Sequence, residues 1–316
     1  MLRQAENLTK ILACPIDKGR LHKADGTLHC ELGHEFRVEG EVPVFAETPR
    51  REEQPSNMAP CDVDAKGTVD PFVNDWIVNT NGNLYWHVRG RLPRYPFPQW
   101  PFERGDGKVF VELGCGWGRW SAAAGKAGFA TLGLDVHLNA VAAAYRVSRE
   151  MGHHGEFACA DIEALPVHSG TVDMIFSYSV LQHLDKSKVA RIFREAWRVL
   201  KPGAAMVVQL PNTFGIYNLL LQLRRGFREA KTGTFEMRYW SRRAILEAVH
   251  TAGFTDVKIR ADGFFSQNPQ LSDLDLLTPM GKLVVLVSHA AVATANRVAP
   301  LIAFADSLWV EARKPD

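Results

Sequence analysis

Between Val111 and Gly118 the chain reads Val-Glu-Leu-Gly-Cys-Gly-Trp-Gly, with Gly114, Gly116 and Gly118 at alternate positions after an apolar run. Glycines at that spacing let the backbone reverse sharply and approach a ligand that a Cβ would push away. Asp135 and Asp161 each close a later apolar segment. A carboxylate at the first position can accept both hydroxyls of a ribose, and one at the second stands where an adenine amino group is in reach. The glycines run G-x-G-x-G, whereas dinucleotide sites use G-x-G-x-x-G. Glu112 stands beside them. Its carboxylate would repel a pyrophosphate at the helix N-terminus and favours a ligand carrying an amino group or a sulfonium.

A second constellation follows in Phe176-Ser177-Tyr178-Ser179-Val180-Leu181-Gln182-His183-Leu184. An imidazole is the side chain suited to proton transfer near neutral pH, so His183 can serve as a general base; the competing reading is a histidine that only orients its loop. Tyr178 is a weaker candidate for the same role. No pairing here suggests covalent catalysis.

These groups need elements to hold them at strand ends, where open parallel sheets bind ligands. From Lys108 onward apolar strands alternate with amphipathic helices, the pattern of a parallel sheet covered on both faces. Strands are expected over 109–113, 130–136, 157–160, 172–178, 204–210, 255–259 and 307–312. Helices are expected over 117–127, 138–151 and 241–252, with the most regular one through Val189, Ile192, Phe193, Ala196, Trp197 and Leu200. Asp185 or Ser187 can cap that helix, and Lys201-Pro202-Gly203 should stop it. The chain thus divides into a short strand-like region at 1–46, a Pro-, Arg- and Trp-rich linker and helical cap at 47–106, and an α/β domain at 107–316 with helical insertions near 213–238 and 262–305.

Composition narrows the class. The 316 residues are 46% hydrophobic and 23% charged with a formal net charge of +2, an ordinary globular balance too near neutral to argue for nucleic acid. Five cysteines, Cys61 read as a free thiol among them, do not form a disulfide framework. The first thirteen residues lack the apolar run of a signal peptide, so a cytoplasmic setting is expected. Leu283 to Ala305 is apolar but broken by His289, Asn296, Arg297 and Pro300, and reads as a buried or substrate-covering helix in preference to a membrane span.

With those residues in place, 108–210 resembles the class I S-adenosylmethionine (SAM) dependent methyltransferases, especially those acting on small molecules. The matching stretches are the glycine turn, Gly133-Leu134-Asp135-Val136, Ala160-Asp161-Ile162-Glu163-Ala164-Leu165-Pro166, Val180-Leu181-Gln182-His183-Leu184 and Lys201-Pro202-Gly203. The resemblance implies a Rossmann-like, seven-stranded, mostly parallel sheet. It implies a cofactor site of Glu112, Gly114, Cys115, Gly116, Gly118, Asp135, Val136, Asp161, Ile162 and Ser177, with His183 as the catalytic candidate. The acceptor would be a small metabolite or natural product methylated at O, N or C, the alternative being RNA or protein held by the N-terminal ribbon and an arginine-rich insertion (Arg224, Arg225, Arg228, Lys231, Arg238).

Residues 1–46 resemble a zinc ribbon, through Cys14-Pro15-Ile16-Asp17 and Cys30-Glu31-Leu32-Gly33-His34. Cys14, Asp17, Cys30 and His34 can supply four tetrahedral ligands to a structural zinc. Asp17 stands where such ribbons usually carry a second cysteine, and a ribbon that keeps its fold without metal is the competing reading. Trp76, Tyr85, Trp86 and Arg89 are candidates for a lid over the site, against a packing helix built on Leu84, Val88 and Leu92.

Overall fold

The computed structural model describes residues 10–46, 69–265 and 270–316; Cys61 lies outside them. The chain falls into two compact units, one running to His168 and the other from Ser169.

The first unit opens with strands β1 (Leu21–Ala24), β2 (Thr27–Cys30), β3 (Glu35–Glu39) and β4 (Val42–Pro43), an antiparallel ribbon in that order. Asp25 and Gly26 join β1 to β2 with φ of 49° and 77°. Both are left-handed, as a two-residue hairpin turn matched to strand twist requires. Cys14, Cys30 and Phe36 form the ribbon's small core, with Phe45 edge-on to Phe36 at 5.2 Å. Helix α1 (Pro71–Asn81) starts at Asp70, whose carboxylate accepts Phe72 N–H, with Pro71 suited to the first turn. Then come β5 (Val109–Leu113), α2 (Arg119–Lys126), β6 (Ala130–Asp135), α3 (Leu138–Glu150) and β7 (Glu156–Cys159), with β5, β6 and β7 paired in parallel.

The ribbon is not a tethered module. Val42 and Val44 share a buried cluster with Cys115, Val141, Ala144, Phe157 and Cys159. Ala13 N–H donates to Pro166 O at 3.0 Å and Phe45 N–H to Cys159 O at 2.7 Å. The described part of 1–46 therefore folds as part of the first unit.

The second unit holds β8 (Val172–Ser177), α4 (Lys186–Val199), β9 (Leu200–Pro211), α5 (Ile216–Arg224), α6 (Arg242–Thr251), β10 (Thr255–Gly263), α7 (Pro279–Arg297) and β11 (Ser307–Arg313). β8 and β9 are parallel, while β11 runs antiparallel to both β9 and β10. The seven larger strands form one sheet ordered β10-β11-β9-β8-β5-β6-β7. This is the expected mostly parallel α/β architecture.

The departures from expectation are local. β9 begins at Leu200, so Lys201-Pro202-Gly203 is strand. Proline tolerates the extended backbone, and Gly203 N–H is engaged by Lys314 O at 3.0 Å. Asp185 sits at the start of α4 without a capping bond from its side chain. Of the insertion at 213–238, only Ile216–Arg224 is helical. The 283–305 stretch is not a buried helix. α7 buries Gly281, Val285, Ser288 and Ala295, but leaves Met280, Leu283, Leu286 and Val287 exposed. Among the described residues no helix is long and apolar enough to cross a membrane.

Arg238 explains where the Asp185 carboxylate goes. Its side chain is 4% exposed and meets Asp185 Oδ1 at 2.5 Å. It also donates to the carbonyls of His183, Thr234, Glu236 and Lys231. One guanidinium thus ties the insertion to the start of α4. Removing one partner of a buried pair leaves an uncompensated charge, so Arg238→Ala should destabilise the protein by about 3–5 kcal/mol. Denaturant unfolding of wild type and variant measures this, and a change below about 1 kcal/mol would contradict the anchoring role.

Candidate functional site

β5 is buried along nearly its whole length, so the chain leaves it inside the protein and must turn at once. Gly114, Gly116 and Gly118 do this with φ of 75°, 51° and 79°, a region that L side chains avoid. The N–H groups of Gly114 and Cys115 both donate to Leu134 O, at 2.7 and 3.0 Å, which clamps the turn to β6. A Cβ on Gly118 would stand 3.0 Å from the Phe157 ring and 3.1 Å from Ala144 Cβ. Space as well as φ therefore requires glycine there.

Asp135 ends β6 and binds the same turn. Its Oδ2 accepts Gly116 N–H and its Oδ1 accepts His137 N–H, each at 2.9 Å. Both bonds use backbone donors, and a carboxylate retains further acceptor positions for hydroxyl groups. Val136, next in sequence, is 39% exposed. On the adjacent strand Asp135 is in register with Cys159, and Ala160 N–H donates to Asp135 O at 2.9 Å. Asp161 follows, exposed, with Oδ1 accepting Glu163 N–H at 2.8 Å, and Ile162 is buried beside it. The structure thus places the glycine turn, Asp135, Val136, Asp161 and Ile162 at the carboxyl ends of three neighbouring parallel strands.

Glu112 lies behind this surface, 2% exposed. Its Oε2 accepts Ser121 N–H at 2.7 Å and Ser121 Oγ–H at 2.6 Å, fixing α2 to β5. Burial pushes its pKa up to about 8, against the opposing pull of Ser121 and Arg119. Burial likewise holds the Cys115 thiol well above its usual range, which disfavours the reactive thiolate.

The segment before β5 packs on the turn. Trp117 is 1% exposed and donates its indole N–H to Thr80 Oγ1 of α1 at 3.0 Å. Tyr95 and Phe97 lie against its ring at 5.9 and 5.5 Å. Of the lid candidates, Tyr85 is buried, Trp76 stacks on Phe72 and meets His137, and Arg89 pairs with Asp75 at 2.5 Å. Trp86 alone among these four stands more than half exposed.

In the second unit Ser177 closes β8, 1% exposed. Ser179, two residues on, has φ 61°, strain that non-glycine residues accept mostly at functional turns. Its N–H donates to Gln209 Oε1 at 2.9 Å, and Gln209 Nε2 donates to Ser307 Oγ at 2.7 Å. Ser307 Oγ and Tyr178 Oη then both donate to Asp262 Oδ2, at 2.6 and 2.7 Å. His183 stacks face to face on Phe235 at 3.9 Å, with Nδ1 3.2 Å from Phe235 O. Sequence reading missed Asp262, Gln209, Ser307 and Phe235. Each comes from a different element 30 or more positions away from its partner, and no short-range motif marks such a set.

Near the N-terminus, the ligand atoms of Cys14, Asp17, Cys30 and His34 all lie within 4.8 Å of one another. His34 Nδ1 is 2.9 Å from Asp17 Oδ2, 3.3 Å from Cys30 Sγ and 3.6 Å from Cys14 Sγ. A backbone bond from Gly19, the largest influence, and the neighbouring cysteines and His34 hold the Asp17 carboxyl down at about 2.

Residues 110–203 match the family described as a methyltransferase domain, and residues 6–40 match the Trm112p-like family. A malonyl-[acyl-carrier protein] O-methyltransferase from Methylococcus capsulatus is 32% identical over 101 residues, covering 32% of this chain and 34% of its own length. A protein of the same name from Methylovorus sp. is 28% identical over 191 residues, covering 58% of this chain and 61% of its own. The chain thus spans about a third to three fifths of the length of these curated relatives. Among solved structures, a SAM-dependent methyltransferase from Methanosarcina mazei is 17% identical with a TM-score of 0.48, covering 66% of this chain and 93% of that one. Residues 110–203 therefore carry a methyltransferase domain of the class I SAM-dependent type, behind a Trm112p-like segment at 6–40.

Proposed function

We propose that the chain binds SAM on the surface formed by the glycine turn, Asp135 and Asp161 and transfers its methyl group to an O, N or C nucleophile of a small molecule. The observation that carries this reading is the glycine turn itself, left-handed at three positions and tied to Asp135. SAM, when bound, supplies a methyl group already activated by a sulfonium, so the protein's task is mainly to position the acceptor and accept any proton it loses. In this reading Asp135 takes the ribose hydroxyls, Val136 and Ile162 flank the adenine, and Asp161 accepts from its amino group. Gly114, Cys115, Gly116 and Gly118 leave room for the methionine portion.

His183 is assigned as the base. A tautomer with Nδ1–H directed at Phe235 O leaves Nε2 as the acceptor, and Gln182 Nε2 lies 3.4 Å from that nitrogen. A small-molecule acceptor is favoured over RNA because much of the charge in the arginine insertion is neutralised within the protein. Arg238 is committed to Asp185, and Arg225 and Arg228 both meet Glu236.

The ribbon is assigned a structural zinc held by Cys14, Asp17, Cys30 and His34. Bond lengths of about 2.0–2.3 Å imply tetrahedral edges of roughly 3.3–3.8 Å, and the contacts among these donors, 2.9 to 3.6 Å where measured to His34, are close to that scale.

Calorimetry with the demethylated product of SAM tests the cofactor site. Wild-type protein should bind, and Asp135→Ala should lose about 2 kcal/mol, roughly thirtyfold in affinity. His183→Gln should leave that binding unchanged and lower turnover with a competent acceptor. Absence of any binding heat in the wild type would sink the reading.

Binding should also depend on pH through Glu112. An ammonium nearby favours the carboxylate, so the complex releases a proton that the free protein holds up to about pH 8. Affinity should therefore rise as pH increases toward about 8 and level off above it, and Glu112→Gln should flatten the profile. A wild-type profile that falls over that interval reverses the predicted sign.

For the ribbon, elemental analysis of full-length protein should find about one zinc per chain. Cys30→Ser and His34→Ala should lose it and lower the melting temperature. Metal-free wild type with unaltered stability would leave the ribbon as a fold without a metal.

A further inference from the structure

The start of α5, the end of β10 and the segment before β11 meet at one buried carboxylate. Asp306 Oδ1 accepts the N–H groups of Tyr217 and Asn218, at 2.7 and 2.9 Å, and Oδ2 accepts Phe265 N–H at 2.8 Å. Asn212 Nδ2 donates to the carbonyls of Ala303 and Ala305, at 2.8 and 2.9 Å. Asn218 Nδ2 closes the corner on Asn212 O and Asp306 O. The polar groups therefore turn inward, and the side chains left outside are apolar. Phe214, Tyr217 and Phe304 are 54%, 46% and 51% exposed. Along α5 the pattern continues at three-residue steps with Leu220 and Leu223, 52% and 57% exposed. The one residue α5 buries is Asn218, while Leu219 and Leu221 are half-buried and Leu220 and Leu223 stand exposed, so the helix turns an amide inward and apolar side chains outward. An exposed apolar patch of this kind marks a binding surface.

Charge identifies what it binds. Arg225 and Arg228 share the single carboxylate of Glu236, which leaves one positive charge on that trio beside Arg224 and Lys231. Residues 279–305, which lead into the same corner, carry Lys282 and Arg297 and no acid. Exposed aromatic and leucine side chains on segments with an excess of basic residues suit the interface of an anionic bilayer, where rings sit at headgroup depth and basic groups meet phosphate. Pairing with a second copy would oppose the same cationic rim across a two-fold axis. We propose that this corner of the second unit, from Phe214 to Leu223 with Phe304, docks on an anionic lipid surface. It lies on the surface without spanning it. The proposal stands independently of the methyl-transfer reading.

The test is co-sedimentation of full-length protein with phosphatidylcholine vesicles, with and without phosphatidylglycerol. Wild type should sediment with the anionic vesicles and be released by salt. The exposed-residue variant Phe214→Ser/Leu220→Gln/Leu223→Gln should lose binding by roughly tenfold or more while keeping its melting temperature. Arg224→Glu/Lys231→Glu should weaken binding to the anionic vesicles only. Failure of wild type to sediment with phosphatidylglycerol vesicles overturns the proposal. So does a concentration-dependent dimer, seen by light scattering, that the apolar substitutions convert to monomer.

Discussion

The carbonyl of Leu134 accepts two N–H groups from the chain that has just left β5, and the carboxylate of the next residue accepts a third. This shared end of β6 holds the glycine turn in its left-handed path. A reversal directly after a buried strand would otherwise strand donors without water to satisfy them. Because Asp135 both builds the turn and ends the strand, the loop and its carboxylate cannot move independently. The rest of the first unit supports that arrangement. Phe157 fills the space beneath Gly118, Trp117 is fixed from α1 by Thr80, and Glu112 sews α2 to β5 from behind.

The ribbon belongs to the same support. Val42 and Val44 pack with Cys115, Phe157 and Cys159, residues that lie under the turn and its neighbouring strands. Whatever stabilises the ribbon, including a metal at Cys14, Asp17, Cys30 and His34, therefore acts through the floor of the proposed cofactor surface. Among the described residues the ribbon's own buried cluster is Cys14, Cys30 and Phe36, with Leu21, Leu28 and Phe45 partly buried against it, and small β modules of that kind rely on metal or on a larger partner for stability. Here the larger partner is part of the same unit.

The second unit is organised by buried polar groups. Asp262, Ser307, Gln209 and Ser179 form one chain of hydrogen bonds across β10, β11 and β9 to the turn after β8, with Tyr178 joining at Asp262. Arg238 and Asp306 act similarly at the two ends of the insertion, each collecting several backbone groups. Such networks rigidify when every member is satisfied. They also explain why the insertion's charge and its apolar surface separate: Arg238 turns inward to carbonyls while Leu220 and Leu223 of α5 face out.

The sequence by itself determined the alternation of strands and helices, the position of the glycine turn and the two aspartates at strand ends. Those features are local: periodicity, capping and glycine spacing act within a few residues. The two halves of the ribbon's Cys14, Asp17, Cys30 and His34 cluster were legible for the same reason, since Cys14 with Asp17 and Cys30 with His34 are short-range pairs. Only the tertiary structure decided what each polar side chain does. Lys201-Pro202-Gly203 became strand because Lys314, more than a hundred residues on, engages it. Asp185 serves Arg238 and not its own helix, and Asp262 and Ser307 reach Tyr178 and Gln209 only through strand pairing. Likewise the apolar content of 283–305 pointed to a buried or substrate-covering helix, yet α7 packs through Val285, Ser288 and Ala295 and leaves its leucines outside. Periodicity reports that a face is apolar; which face the fold covers depends on the neighbours that pack against it.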